Sequence, residues 1–185
     1  MLDIEKAVHA AAYLVEKAGG CLRRRQLCRQ LYLSERTFLL FHSDSFTGDR
    51  IVATKDGPAL EECQGILSAS ELHDPWSRWL EFGDEETVLS RNRSGNSTGM
   101  LVEDFDALSL ADVKVLDQVF EQYESLTREA FLDISPERQE PSGAASPIDL
   151  EALLMRHGKS PERARAIAEQ VRETEAIREY LRQFT

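Results

Sequence analysis

The sequence predicts an α+β protein: a mainly α-helical single domain with a small antiparallel β element and a C-terminal pair of helices. Several segments repeat apolar residues at steps of three and four, which is the period of an amphipathic helix, whereas segments rich in β-branched residues are few and short. The chain has 185 residues, of which 42% are hydrophobic and 30% charged. This balance is typical of one folded domain. We expect a core over residues 1–133, followed at 134–185 by a surface crossing and C-terminal helices packed on the core.

The first half of the chain predicts three helices and one strand. In order, these are an opening helix that ends at Gly19-Gly20, a second helix over 23–41, a strand over 50–54 and a third helix over about 59–72. Gly57-Pro58 separates the strand from the third helix. Glycine accepts a positive φ and proline suits the first turn of a helix, so the pair predicts a direct strand-to-helix step.

The second half predicts a hairpin and further helices. The hairpin pairs 87–89 with 100–102, and a capping box at Ser109 begins the next helix. A stretch rich in Pro, Ser and Gly then leads to Ser146-Pro147 and later Ser160-Pro161, each of which predicts a helix start. The last helix is expected to run to about Arg182, with these residues on its apolar side: Ile167, Val171, Ile177, Leu181 and Phe184.

Composition and motifs exclude several classes of protein. No segment has the ~20 apolar residues that cross a bilayer, and the N-terminus lacks the features of a secretory signal, so we expect a cytoplasmic protein without a membrane partner. Three cysteines without a CxxC pair predict reduced thiols: Cys21, Cys28 and Cys63. Histidines in metal-binding spacing, a nucleophile elbow, a phosphate-binding loop and a dinucleotide fingerprint are all missing. We therefore expect no enzyme, cofactor or metal, although a site assembled entirely by the fold stays open.

Charge is distributed unevenly along the chain. The net charge is −11, yet Arg23, Arg24 and Arg25 open a predicted helix, where positive charge opposes the helix dipole. These arginines either bind a partner or form a plain exposed rim. Carboxylates dominate 81–133, and Glu103, Asp104 and Asp106 follow a predicted edge strand. These acids either steer a basic partner, or solvate the surface and cap the next helix.

The order of motifs along the chain resembles the Panacea domain, also called SocA-like, most clearly in the first third and then through Trp79 and the capped helix at Ser109 to Ser146-Pro147-Ile148. A helix ends at Ala18-Gly19-Gly20, a second helix carries QLYLSER over 30–36, and FTGDRIVATKDGP follows over 46–58. The residues at family motif positions are Tyr32, Thr47, Gly48, Asp49, Lys55, Gly57 and Pro58. They either make turns that shape the partner surface or contact the partner directly.

The resemblance implies an antitoxin that neutralises a cognate protein toxin by direct contact. It does not imply which toxin, since members pair with toxins of unrelated folds. One alternative is an adaptor that delivers the toxin to a protease. Another is a nucleic-acid-binding transcriptional regulator that uses Arg23, Arg24, Arg25 and Arg29, but a net charge of −11 opposes binding to a phosphate backbone.

Overall fold

Helices form most of the computed structural model, which describes residues 2–84, 86–91, 104–136 and 145–184. The helices are α1 (Ile4–Lys17), α2 (Arg24–His42), α3 (Glu61–Ser68), α4 (Trp76–Trp79), α5 (Leu110–Tyr123), α6 (Arg128–Ile134), α7 (Leu150–Arg156) and α8 (Pro161–Arg182). The strands are β1 (Cys21–Arg23), β2 (Ile51–Thr54), β3 (Gly57–Leu60), β4 (Leu80–Phe82), β5 (Thr87–Ser90) and β6 (Ser146–Pro147). The mainly helical α+β class predicted from the sequence is confirmed.

The second helix, α2, is the centre of the core. It packs against α1, α3, α5 and β3, and its buried side chains include Leu27, Leu31 and Leu39. The opening helix α1 is confirmed, and so is its end, where Gly19 and Gly20 both take a positive φ. The capping box that begins α5 is also confirmed, with reciprocal bonds between Ser109 and Asp112.

The strands form two antiparallel sheets, in the orders β1-β5-β4 and β3-β2-β6. Val88 of β5 lies opposite Leu22 of β1 on one side and Phe82 of β4 on the other. Both edges of β5 are therefore occupied, so the predicted pairing of 87–89 with 100–102 is wrong for this strand. Residues 100–102 themselves lie outside the described residues. Strand β1 was not predicted, because three residues are too few to show an alternating pattern.

The predicted step from strand to helix at Gly57-Pro58 is wrong. Both residues belong to β3, which forms a hairpin with β2 and pairs Thr54 with Gly57 and Ala53 with Pro58. Proline has no N–H to donate, and β3 is an edge strand, where a missing donor costs little. The helix α3 begins only at Glu61, because the hairpin uses the first residues that were assigned to the helix, and it ends at Ser68 and not at about residue 72.

The predicted helix start at Ser146-Pro147 is also wrong. These residues form β6, which pairs with Val52 and Ala53 of β2. Helix α7 begins three residues later, where the Asp149 carboxylate accepts hydrogen bonds from the first amides. A proline after a serine fits a strand edge as well as a helix start, and pairing with β2 decides between them.

The predicted start of α8 is confirmed, with Ser160 as the cap and Pro161 as the first helical residue. The expected apolar side of α8 divides into two parts. Ile167 and Val171 are buried with α7 against the core, whereas the C-terminal part is exposed, at 58–73% for Ile177, Leu181 and Phe184.

Replacing Gly57 with alanine should destabilise the fold more than the same change at Gly19. Both glycines have a positive φ, of 107° and 83°, so both variants carry backbone strain. A Cβ on Gly57 would also lie 2.7 Å from Cε1 of Phe131, whereas a Cβ on Gly19 would meet no atom within 4 Å. We expect Gly57→Ala to lower the free energy of unfolding by about 1–3 kcal/mol more than Gly19→Ala in urea denaturation. Equal losses would show that Phe131 moves aside without cost.

Candidate functional site

A buried carboxylate organises the region around the family motif. Glu35, near the middle of α2, is 2% exposed. Its two oxygens accept four hydrogen bonds of 2.7–2.8 Å, from the hydroxyl of Ser45, the amide of Phe46, and the amide and hydroxyl of Thr47. Burial raises the pKa of Glu35 above its ordinary value, and the four donors oppose that shift. The chain after α2 is thereby held against the middle of the same helix.

The Thr47-Gly48-Asp49 turn connects the Glu35 hydrogen bonds to the start of α3. Gly48 takes a φ of 73° and donates its amide to the hydroxyl of Ser45 at 2.8 Å. The Asp49 carboxylate accepts hydrogen bonds from the amides of Glu62 (3.1 Å) and Cys63 (2.9 Å) in the first turn of α3. Leu60, the residue that precedes α3, makes no capping hydrogen bond with its side chain. Asp49 therefore provides the cap from a turn that is distant in sequence.

The remaining motif residues divide between interior and surface. Tyr32 is fully buried and meets the ring of Phe131 edge-on, with centroids 5.9 Å apart. Gly57 and Pro58 are buried in β3, where Gly57 lies against Phe131. Lys55 is exposed in the β2–β3 turn. Of the seven motif residues, then, the structure places only Lys55 on the surface.

Sequence reasoning missed Glu35, although a signal was present. Its position continues the four-residue spacing of Leu27 and Leu31, which places a charged residue on the buried stripe of α2. It also missed Arg36, which is 6% exposed and donates to the carbonyl of Ile134 (2.8 Å) and the hydroxyl of Ser135 (2.7 Å). A charged residue on a buried helical stripe needs partners from elsewhere in the fold, and the sequence does not show which they are.

Five basic residues lie around the N-terminal end of α2 and in the β2–β3 turn, and we call them the arginine surface: Arg23, Arg24, Arg25, Arg29 and Lys55. They line two neighbouring depressions of about 330 and 430 Å³. The three predicted arginines therefore lie together, although Arg23 belongs to β1 and not to α2. Cys28 also lines the smaller depression, and burial raises the pKa of its thiol to about 12.

The arginines differ in their contacts. Arg24 stacks on Phe82, with 3.4 Å from its guanidinium carbon to the ring centroid, and donates to the carbonyl of Ala69 at 3.1 Å. Arg25 lies 3.4 Å from Glu86. Burial, followed by the positive charge of Arg128, lowers the pKa of Arg29 from its ordinary value. The carboxylates of Asp56 and Glu129 oppose this shift.

The predicted acidic residues lie elsewhere. Asp104 and Asp106 are exposed and line neither depression, while Glu103 lies outside the described residues. Asp106 is 3.5 Å from Nδ1 of His9, the same atom that accepts a hydrogen bond from the amide of Ala107. The cap of α5 comes from Ser109 and Asp112, so neither Asp104 nor Asp106 caps that helix.

Within residues 2–84, 86–91, 104–136 and 145–184, no group of three or more His, Cys, Asp or Glu side chains is placed to hold a metal ion. None of the helices seen in those ranges is long and apolar enough to cross a membrane.

Replacing Glu35 with glutamine should destabilise the protein even though the two side chains have the same shape. Each Glu35 oxygen accepts two hydrogen bonds, and the amide nitrogen of glutamine accepts none, so two donors would lose their acceptor. We expect the free energy of unfolding to fall by about 1–3 kcal/mol in urea. The control is Glu173→Gln, which removes an exposed carboxylate from α8. Similar stability of the two variants would contradict the role assigned to Glu35.

Comparison with known proteins identifies the family. No curated protein and no solved structure matches the chain. A family model described as "Antitoxin SocA-like, Panacea domain" matches residues 27–140, which is more than half of the chain. The matched range contains Glu35 and every motif residue named above. The chain therefore belongs to the SocA-like antitoxin family of Panacea-domain proteins.

Proposed function

We propose that this chain is the antitoxin of a toxin–antitoxin system and neutralises its cognate protein toxin by direct binding. The family match over residues 27–140 is the observation that carries the proposal. A protein that blocks a toxin needs a complementary surface with a few strong anchors, and it needs neither a cofactor nor a metal. We place the complex in the cytoplasm.

The motif residues support this function by shaping the molecule. Thr47 and Asp49 are 0% and 4% exposed, so the protein's own atoms cover them. We assign them, with Tyr32, Gly48, Gly57 and Pro58, to the scaffold that holds the surface in place. Lys55 is exposed and remains available for contact with the toxin.

Delivery of the toxin to a protease is the second candidate function. An adaptor needs one surface for the toxin and another for the protease. The end of α8 offers an exposed apolar stripe well removed in sequence from the arginines, formed by Ile177, Tyr180, Leu181 and Phe184. A regulator that binds nucleic acid is less favoured, because a net charge of −11 repels a polyanion.

Co-expression of this protein with the toxin encoded by the adjacent gene should restore growth, and the two proteins should elute together from gel filtration. The abundance of the toxin during rescue separates the two candidates. A constant toxin level indicates blocking, whereas a falling level that depends on a protease indicates delivery. Rescue without a detectable complex would contradict direct binding.

Replacing Asp104 and Asp106 with asparagine should slow association with the toxin several-fold at low salt and leave dissociation nearly unchanged. Exposed charges at the rim of an interface act mainly on the association rate, and salt screens them over ~8 Å at 0.15 M. The control, Glu169→Gln with Glu173→Gln, removes the same charge from α8. Stopped-flow kinetics at two salt concentrations make the comparison. Identical association rates for both variants and the wild type would show that these aspartates do not steer association with the toxin.

A further inference from the structure

Two depressions of the arginine surface adjoin at shared lining residues, and we call them together the groove. The smaller depression is lined by Arg24, Arg25, Arg29 and Lys55, and the larger by Arg23, Arg25 and Arg29. Arg25 and Arg29 are common to both and lie one turn apart on α2, where residues four apart are neighbours at roughly 5–6 Å between Cβ atoms. A ligand that crosses this ridge would meet guanidinium groups on both sides.

The sign of charge in the groove is opposite to that of the whole chain. Its charged lining consists of the five basic residues of the arginine surface and three acids, Asp56, Glu86 and Glu124. The groove therefore has an excess of two positive charges, whereas the chain carries −11. An anionic group near the protein would be attracted here and repelled by most of the remaining surface.

Internal contacts leave these cations incompletely paired. Arg23 and Arg29 form no ion pair with any residue in the described part of the chain. Arg25 and Glu86 are 67% and 66% exposed, and an ion pair so open to water contributes little. The Nε of Arg24 is buried, and no described atom accepts its hydrogen bond. The carbonyl of Glu86 accepts from the amide of Arg24 at 2.7 Å, but no side chain among the described residues caps the start of α2, so the helix dipole adds to the local positive potential.

The chemistry of the groove favours carboxylates carried on a polypeptide. Guanidinium groups bind carboxylates through paired, charge-assisted hydrogen bonds. The groove also has a half-buried apolar side chain, Leu126, in its wall, which suits an apolar side chain of a peptide. A nucleic acid would extend beyond this small positive area and meet the acidic remainder of the surface.

We propose that the arginine surface receives an acidic segment of the toxin, with carboxylates bound on both sides of the Arg25–Arg29 ridge. Two acidic residues separated by one residue on an extended segment lie roughly 7 Å apart, which is close to the roughly 5–6 Å between the Cβ atoms of Arg25 and Arg29, and the long arginine side chains can span the difference. This inference rests on the proposed function, because it names the part of the toxin that the antitoxin binds.

The test is the affinity of the adjacent gene's toxin for two double variants, measured by titration calorimetry. The groove variant is Arg23→Gln with Arg25→Gln, and it leaves Arg29 in place because Arg29 packs over Phe131. The matched control is Arg78→Gln with Arg165→Gln, which removes the same charge. Those side chains are 65% and 68% exposed, and each forms one ion pair, as Arg25 does. We expect the groove variant to bind at least about tenfold more weakly, and the control to bind like the wild type.

Other results of the titration would contradict either the docking site or the proposed function. If the wild type binds and both variants bind equally well, the groove is not the docking site, while direct neutralisation stands. If the wild type fails to bind the toxin, both proposals fail.

A parallel titration uses short single-stranded RNA of mixed sequence. Sub-micromolar binding that the groove variant loses would assign the arginines to nucleic acid instead. Circular dichroism confirms that all variants keep the wild-type fold.

Discussion

The burial of the Glu35 carboxylate is the constraint on which the rest of the motif region depends. A carboxylate removed from water needs several donors, and Glu35 takes all four from Ser45, Phe46 and Thr47. These bonds fix the chain directly after α2. The fixed turn then places the Asp49 carboxylate at the start of α3, which has no cap of its own. One charged residue in a helix thus positions a turn and a second helix.

This arrangement separates scaffold from surface. The family match covers the buried network and two residues of the arginine surface, Arg29 and Lys55, whereas Arg23, Arg24 and Arg25 lie just before the matched range. A buried network that is satisfied by its own donors can stay the same while exposed residues change without loss of the fold.

Sequence patterns predicted the features that depend on local chemistry. The stripe of α1, the capping box at Ser109 and the start of α8 at Ser160 each follow from residues within one or two turns of helix. Patterns failed where distant pairing decides the outcome. Gly57-Pro58 and Ser146-Pro147 both resemble helix starts, yet both join β2 in a sheet. The four arginines, including Arg29, were recognised as a candidate surface from the sequence, but Lys55 joins them only because α2 packs against the β2–β3 hairpin.

Hydrogen–deuterium exchange of the protein, alone and with its toxin, tests the central claim that a buried motif holds an exposed arginine surface for binding. The account predicts slower exchange on binding at 21–29 and 54–59, which carry the arginine surface. Amides at 46–49 should exchange slowly in both states, because they are already bonded within the Glu35 network. Unchanged exchange at 21–29, with new protection only at 46–49 or at the end of α8, would contradict it.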